Sequence, residues 1–535
     1  GLDFACPYRE GQMDGAEVVI YSSAVRSGNP GYDEAKRRGL PMFLRAEALA
    51  ALMSGKRGIV ICGMHGKTTT TAMLAHVLRA AGLKPSHYVG AEIPILGTNA
   101  RWDSDGEYFV AEGDESDGTL VLYEPEHAVV LNVEREHLDY YRSLEEIEKV
   151  FGELVKRTRG LVVACGEDEG AMRVSKQARG RIVYGERSLC DYRMVGLRIE
   201  NGRPVFRVKE FGEDLGEIHL GIPGRHNALN SMAVVAVSRR IGVSFEVIAN
   251  ALQRFEGARR RFETLYRDEE FLVVDDYGHH PTEIAATLDT ARLMGQKRTV
   301  VMFQPHRFTR TQALRREFGG SFRECEILVV TEIYAASEQP IEGVSGKMIA
   351  ESVQEMAEQG ERIPEVIFED EMKKLPSIIG PKLEVGDLIL SLGAGNIHEV
   401  GRVLAEDLGI RRKIREAMGD GKIRLYEPMW KHTTLRVGGP ARFWVEPETE
   451  EGFAEVIRLC TEEKLPILVV GRGSNLLVKD GGFKGVVVHL GRGEFLRCEV
   501  DGNLIHVGAG VRLKQLAAIA KKHGLGGFEW MEGIP

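Results

Sequence analysis

The stretch Gly58-Ile-Val-Ile-Cys-Gly-Met-His-Gly-Lys-Thr-Thr-Thr-Thr71 constrains the fold more than any other part of this chain. An apolar run, a glycine turn and the helix-competent segment Ala72–Ala81 read as a strand, a tight loop and a helix N-terminus. The inward-pointing N–H groups of such a loop, with the positive end of the helix dipole behind them, form a phosphate cradle. Lys67 would then neutralise β- and γ-phosphates and Thr68 would place its hydroxyl on Mg²⁺. The longer pattern G-x-x-x-x-G-K-[ST] wants a glycine where this chain has Ile61. Two readings follow: a shorter loop pivoting on Gly63, or a glycine turn that merely starts a threonine-rich helix.

Further strands are expected at Val18–Ser22, Tyr108–Ala111, Ala128–Leu131 and Leu161–Ala164, with helical periods between them. That alternation predicts a parallel α/β sheet, whose ligands gather beyond the carboxyl ends of its strands. The segment Val195–Leu220 alternates more and is turn-rich, which suggests an antiparallel excursion. A second α/β unit follows a basic stretch at Gly257–Glu263, with strands at Leu272–Asp275, Thr299–Phe303, Ile327–Thr331 and Leu388–Ser391. A charged helical stretch, Glu399–Met418, leads into a β- and Gly-rich zone from about Asp420. With 535 residues the chain has room for roughly three to five domains. Its expected divisions are 1–54, 55–262, 263–415 and 416–535.

The formal charge of −9 argues against a general nucleic-acid partner. No apolar run approaches the ~18–20 residues of a membrane helix, so no membrane partner is expected. Seven scattered cysteines without a C-x-x-C pair fit a reducing, cytoplasmic compartment better than a disulfide or zinc framework. The chain opens at Gly1 in what reads as mid-domain and stops at Pro535 without a closing element, as a piece cut at both ends would.

Polar clusters sit at the expected strand ends. Glu112-Gly-Asp-Glu-Ser-Asp117 brings four carboxylates together; it is either a solvated acidic loop or, beside a phosphate loop, a divalent-cation site. His137, in Asn132-Val-Glu-Arg-Glu-His-Leu-Asp139, falls at the same sheet edge as a possible metal or phosphate contact. Asp275-Asp-Tyr-Gly-His-His-Pro281 is too polar for packing, although a solvated turn remains the plainer alternative. Arg307 and Arg310, in Gln304-Pro-His-Arg-Phe-Thr-Arg310, suit phosphate or carboxylate because a guanidinium binds either through two parallel hydrogen bonds.

In this order the motifs of residues 1–415 resemble the Mur ligases, and among them those that join L-alanine to UDP-N-acetylmuramate. That family uses the shorter loop G-x-H-G-K-T-T-T, which Gly63–Thr70 fits, so Ile61 is no defect under its pattern. The resemblance implies a fold of three parts: an N-terminal Rossmann-like domain, present only as its tail, a central P-loop ATPase and a C-terminal Rossmann-like domain. It implies ATP and Mg²⁺ as cofactors, with Gly63, His65, Gly66, Lys67, Thr68, Thr69, Asn227, Arg260, Asp276 and His279 on the nucleotide. Thr68, Glu112 and His137 would hold metal, and Lys67, Glu112 and His137 would be catalytic. Tyr277, His306, Arg307 and Arg310 would face the amino acid or the sugar nucleotide. A Mur-type ligase for another amino acid, a P-loop switch and an inert truncated nucleotide binder are the rival readings.

The tail differs. Thr434-Leu-Arg-Val-Gly-Gly-Pro-Ala441, Val470-Gly-Arg-Gly-Ser-Asn475 and Val507-Gly-Ala-Gly-Val511 resemble the start of the UDP-N-acetylenolpyruvoylglucosamine reductases. This implies part of an α+β FAD-binding domain, with Gly471, Gly473, Ser474 and Asn475 on the FAD pyrophosphate and NADPH as reductant of the complete reductase. Without the resemblance the same glycines read as a tight hairpin.

Overall fold

The computed structural model describes residues 11–136 and 140–533. The chain falls into two compact units: residues 1–263 with 282–295, and residues 264–281 with 296–535.

The first unit is built on a ten-stranded sheet. Its parallel centre runs, in spatial order, Gly180–Gly185, Leu161–Cys165, His127–Val130, Arg57–Cys62, Tyr108–Glu112 and Ser86–Tyr88. Strands buried on both faces must be almost wholly apolar, and Ile59, Val60, Ile61 and Cys62 are indeed completely buried. Ile61 lies in register between Glu112 and Val129. It is therefore a core strand residue that ends before the loop begins. Three antiparallel strands, Tyr192–Glu200, Arg203–Glu210 and Glu213–His219, extend the same sheet. The expected excursion is thus an outgrowth of the sheet and not a separate layer. The helices Lys67–Ala80 and Arg225–Arg240 supply much of the buried core.

In the second unit five parallel strands lie in the order Phe271–Asp276, Asp387–Leu392, Arg298–Phe303, Ile327–Val330 and Glu365–Phe368. A four-stranded sheet of Gly421–Pro428, Pro440–Pro447, Phe483–His489 and Ile467–Val470 follows. The helix His398–Met418 serves both sheets. Its buried residues Val400, Gly401, Leu404, Asp407, Leu408, Ile414 and Met418 recur at helical spacing. They join one hydrophobic core that runs from Phe271 and Ile389 through to Phe443, Val456 and Val486. The division expected after residue 415 therefore falls inside the last turn of this helix, and that expected between 262 and 263 is crossed again by residues 282–295, which group with the first unit. No described helix is long and apolar enough to cross a membrane.

Asp407 is fully buried in this shared core. Its carboxylate accepts from the Tyr426 hydroxyl at 2.5 Å and from Arg442 Nε at 2.6 Å, both on strands of the four-stranded sheet. Burial pushes the Asp407 carboxyl above its usual range, against the Tyr426 and Arg442 contacts that favour the ion. Removing the Asp407 carboxylate leaves the Tyr426 hydroxyl without this acceptor and Arg442 with the exposed Glu406 in its place. We expect Asp407→Ala to lower the denaturant-unfolding stability of the second unit by about 2–4 kcal/mol. A change below ~0.5 kcal/mol would contradict this role.

Candidate functional site

The loop Gly63–Gly66 leaves the strand Arg57–Cys62 and enters the helix at Lys67. Gly63 has φ +148°, and a Cβ there would lie 2.9 Å from Leu131 Cβ and 3.1 Å from Asn132 N. Gly66 has φ +83°, and its Cβ would lie 2.9 Å from the Asn230 amide. Both positions combine a left-handed backbone with a close neighbour, so only glycine fits without displacement. Asn132 clamps the turn from outside. Its Oδ1 accepts from His65 N at 2.8 Å, and its Nδ2 donates to His65 O at 3.0 Å.

Behind the loop the first helical turn carries two charge-bearing contacts. Lys67 Nζ donates to Glu115 Oε1 at 2.8 Å and to the carbonyls of Gly63 and Met64 at 2.6 and 3.1 Å. Burial alone would favour the neutral amine. Glu115, Glu112 and Asp114 outweigh it and raise the Lys67 pKa, so the ammonium persists. The Thr68 hydroxyl donates to Glu112, with its two oxygens at 3.0 and 3.1 Å, and Glu112 Oε2 also accepts from Gly90 N at 2.8 Å. Thr69 is buried on the same turn. Thr70 and Thr71 bond back to the carbonyls of Gly66 and Lys67 at 2.9 and 2.8 Å, which ties their hydroxyls into the helix.

The four carboxylates of the acidic loop therefore do different things. Glu112 and Glu115 meet Thr68 and Lys67, while Asp117 caps Thr119 at 3.1 Å. Asp114 Oδ1 accepts from Ser116 N at 3.0 Å. Thr68 and Glu112 present a hydroxyl and a carboxylate side by side, the hard-oxygen donor set that suits Mg²⁺. His137 lies outside the described residues. Asn227 is buried in the first turn of the helix Arg225–Arg240, its amide donating to Pro223 O at 2.7 Å. Arg260 sits at φ +59°, its N–H bonded to Glu263 at 2.9 Å.

The remaining expected residues gather in the second unit. Asp276 ends a strand, is buried and accepts from Gly278 N at 2.8 Å. The ring centroids of Tyr277 and His279 are 5.4 Å apart, and those of His279 and His306 are 5.2 Å apart. His306 also lies parallel to Tyr334, at 5.7 Å and 8°. Arg310 reaches His306 Nδ1 at 3.2 Å. A guanidinium can only donate, so Nδ1 accepts and the ring proton belongs on Nε2. Burial, followed by His279, Arg310 and Arg307, pushes His306 down to about 3, which keeps it neutral at ordinary pH. Arg307 takes φ +71° at the start of the helix Phe308–Ala313, and its N–H donates to Tyr334 O at 2.9 Å. A non-glycine residue in this conformation stores strain, as residues at working sites often do.

In the tail, Gly471, Gly473, Ser474 and Asn475 form the turn after the strand Ile467–Val470. Gly473 has φ +63°, and a Cβ there would lie 2.0 Å from His432 O. The backbone is thus forced against the 432–434 segment, with Thr434 N donating to Gly473 O at 3.2 Å.

Several partners carry no mark that sets them apart in the sequence. Glu115 lies among the acidic cluster's four carboxylates, and composition does not tell which of them meets Lys67. Asn132 opens the segment Asn132–Asp139 and carries the loop clamp. Glu283 ends the motif that opens at Asp275 and carries no expected role, yet its Oε1 lies 3.1 Å from His65 Nδ1, while Glu134 contacts Nε2. Burial lowers the His65 pKa, but Glu283 and Glu134 outweigh it and raise it to about 10.

The profile of the Mur ligase middle domain matches residues 61–238, and that of the Mur ligase glutamate ligase domain matches 260–395. The catalytic domain of the Mur ligase family matches residues 1–57, and an FAD binding domain matches 441–535. A UDP-N-acetylmuramate–L-alanine ligase of Syntrophotalea carbinolica is 42% identical over 394 residues, which is 73% of this chain and 85% of that protein. One from Carboxydothermus hydrogenoformans is also 42% identical, over 72% of this chain and 82% of that protein. The crystal structure of a UDP-N-acetylmuramate–alanine ligase from Thermotoga maritima superposes with a TM-score of 0.63 at 28% identity, covering 74% of this chain and 85% of that one.

A proton held by native His65 is one that the unfolded chain, with its histidine near 6.5, gives up earlier. Its stabilising effect is complete below pH 6.5 and is lost as pH rises through about 10. The Tm of wild type is expected to fall more between those limits than that of His65→Gln. Parallel curves would refute the assignment.

Proposed function

Because the chain belongs to the Mur ligase family, we propose that it joins L-alanine to UDP-N-acetylmuramate with hydrolysis of ATP during peptidoglycan precursor synthesis, and that its tail carries a flavin-binding reductase module. The observation that carries the ligase reading is the paired arrangement of Lys67 with Glu115 and Thr68 with Glu112 behind a glycine-only turn. The relatives named above supply the choice of substrate.

The chemistry asks for such an arrangement. A carboxylate is a poor acyl donor, and its charge repels the γ-phosphate it must attack. Transfer of that phosphoryl group from ATP to the muramate carboxylate leaves ADP and gives an acyl phosphate; the alanine amine then attacks its carbonyl, loses a proton and expels phosphate as the amide bond forms. Lys67 offsets the charge of the phosphates, the kind of electrostatic stabilisation that dominates phosphoryl transfer. Mg²⁺, when bound, would supply further neutralisation of phosphate charge, with Thr68, Glu112 and His137 as the residues to hold it. Gly63, His65, Gly66 and Thr69 would complete the cradle, and Asn227, Arg260, Asp276 and His279 would bind the nucleotide. Tyr277, neutral His306, Arg307 and Arg310 would hold the amino acid or the sugar nucleotide, the guanidinium groups pairing with its anionic parts.

In the tail, the Gly471–Asn475 turn would offer backbone donors to the FAD pyrophosphate, and NADPH would serve the complete reductase. A fusion of this kind places the enzyme that makes a substrate beside the one that uses it, since the reductase product is the ligase's acceptor.

Phosphate release by the full chain with ATP, Mg²⁺ and UDP-N-acetylmuramate is expected to rise on adding L-alanine, and less with glycine or L-serine. Glu112→Ala should lower the alanine-dependent rate about a hundredfold or more. Release indifferent to every amino acid would reject the ligase reading, and preference for another amino acid would reject the substrate.

A further inference from the structure

A cavity of about 330 Å³ lies where the helix His398–Met418 turns into the strand Gly421–Pro428. Four cations line it, Arg411, Arg415, Lys422 and Arg424, with no acidic residue among the lining side chains. In a chain of net charge −9 such a concentration is a local reversal of sign.

Carboxylates outside the lining offset the three arginines only in part. Glu270 bridges Arg411 and Arg415, holding both guanidinium groups in place. Arg411 also lies over the Phe271 ring at 5.0 Å. Arg424 has only distant partners, Glu427 at 3.5 Å and Glu446 at 3.6 Å. Each of those carboxylates is already engaged by a histidine, Glu427 with His432 at 2.9 Å and Glu446 with His489 at 3.0 Å. Lys422 is exposed and has no ion-pair partner among the described residues.

Basic residues in the last turn of a helix often only complement its dipole. That accounts for Arg415, but not for Lys422 and Arg424, which come from the following strand. Gly419 and Gly421 form the turn between them, and a Cβ on Gly419 would meet nothing within 4 Å, so the mouth carries no obstructing side chain there.

We propose that this cleft is an anion site for a pyrophosphate group, either free or as the diphosphate of a nucleotide, distinct from the Lys67 loop. Its volume is at the lower end of small-ligand pockets. Guanidinium forks from Arg411, Arg415 and Arg424 and the point charge of Lys422 are the usual equipment for phosphate oxygens. Because the cations come from both sides of the junction, an occupant would tie the helix to the four-stranded sheet.

Equilibrium dialysis of labelled inorganic pyrophosphate against the full chain at low salt provides the test. Wild type is expected to bind one equivalent more than the Lys422→Ala/Arg424→Ala double variant, and each single variant to weaken that equivalent about tenfold. Lys422 is exposed and the ion pairs of the half-buried Arg424 are long, so unliganded Tm should change little. Equal stoichiometry in wild type and double variant, or an extra equivalent insensitive to salt, would overturn the proposal. Displacement of the extra equivalent by UDP at lower concentrations than by pyrophosphate would identify a nucleotide as the source of the diphosphate. The reverse order would identify free pyrophosphate.

Discussion

A buried ammonium has to be answered by nearby negative charge, and at Lys67 that requirement organises the first unit. Glu115 supplies the main counter-charge and two loop carbonyls supply the remaining acceptors. Glu115 comes from the loop after the neighbouring strand, and the carbonyls come from the glycine turn. The sheet register that puts Glu112 beside Ile61 thus also sets where the acidic loop begins. Held this way, Lys67 is fixed in place and charged before any ligand arrives. Such preorganisation is what makes a charged group effective towards a transferring phosphoryl group.

The same logic extends to the loop's outer side. Asn132 bonds both the N–H and the carbonyl of His65, whose ring in turn meets Glu134 and Glu283. Two segments distant in sequence therefore converge on this one loop residue. A turn with glycine at both pivots would be mobile by itself; here its conformation is fixed from outside. In the second unit the fixed point is Asp407, whose bonds to Tyr426 and Arg442 tie the helix His398–Met418 to the four-stranded sheet. The flavin-binding segment consequently shares a core with the preceding sheet and does not hang from it by a linker.

The parts of this structure that follow from local chemistry were legible in the sequence. Short apolar runs gave the strands, because a doubly covered sheet admits little else. The alternation of Val195–Leu220 gave its antiparallel character, though not its attachment to the ten-stranded sheet, which depends on a parallel pairing of Tyr192 with Tyr184. The turn before Lys67 was marked by its glycines. The counter-ion of Lys67 was not, since Glu112, Asp114, Glu115 and Asp117 are equivalent until the loop's path is known. The division after residue 415 rests on composition alone. A change in composition at Asp420 marks the start of new strands, but the helix before it stays amphipathic to Met418 and buries residues against both sheets. Nothing local to residues 282–295 announces that they group with the first unit.

The central claim is that Lys67 acts on phosphate charge and not as a general support for the loop. Calorimetric titration of wild type and Lys67→Ala with ATP and with AMP separates the two. The account predicts that ATP affinity falls about a hundredfold or more in the variant while AMP affinity, which lacks the β- and γ-phosphates, changes little. Equal losses for the two nucleotides, or undiminished ATP binding, would contradict it.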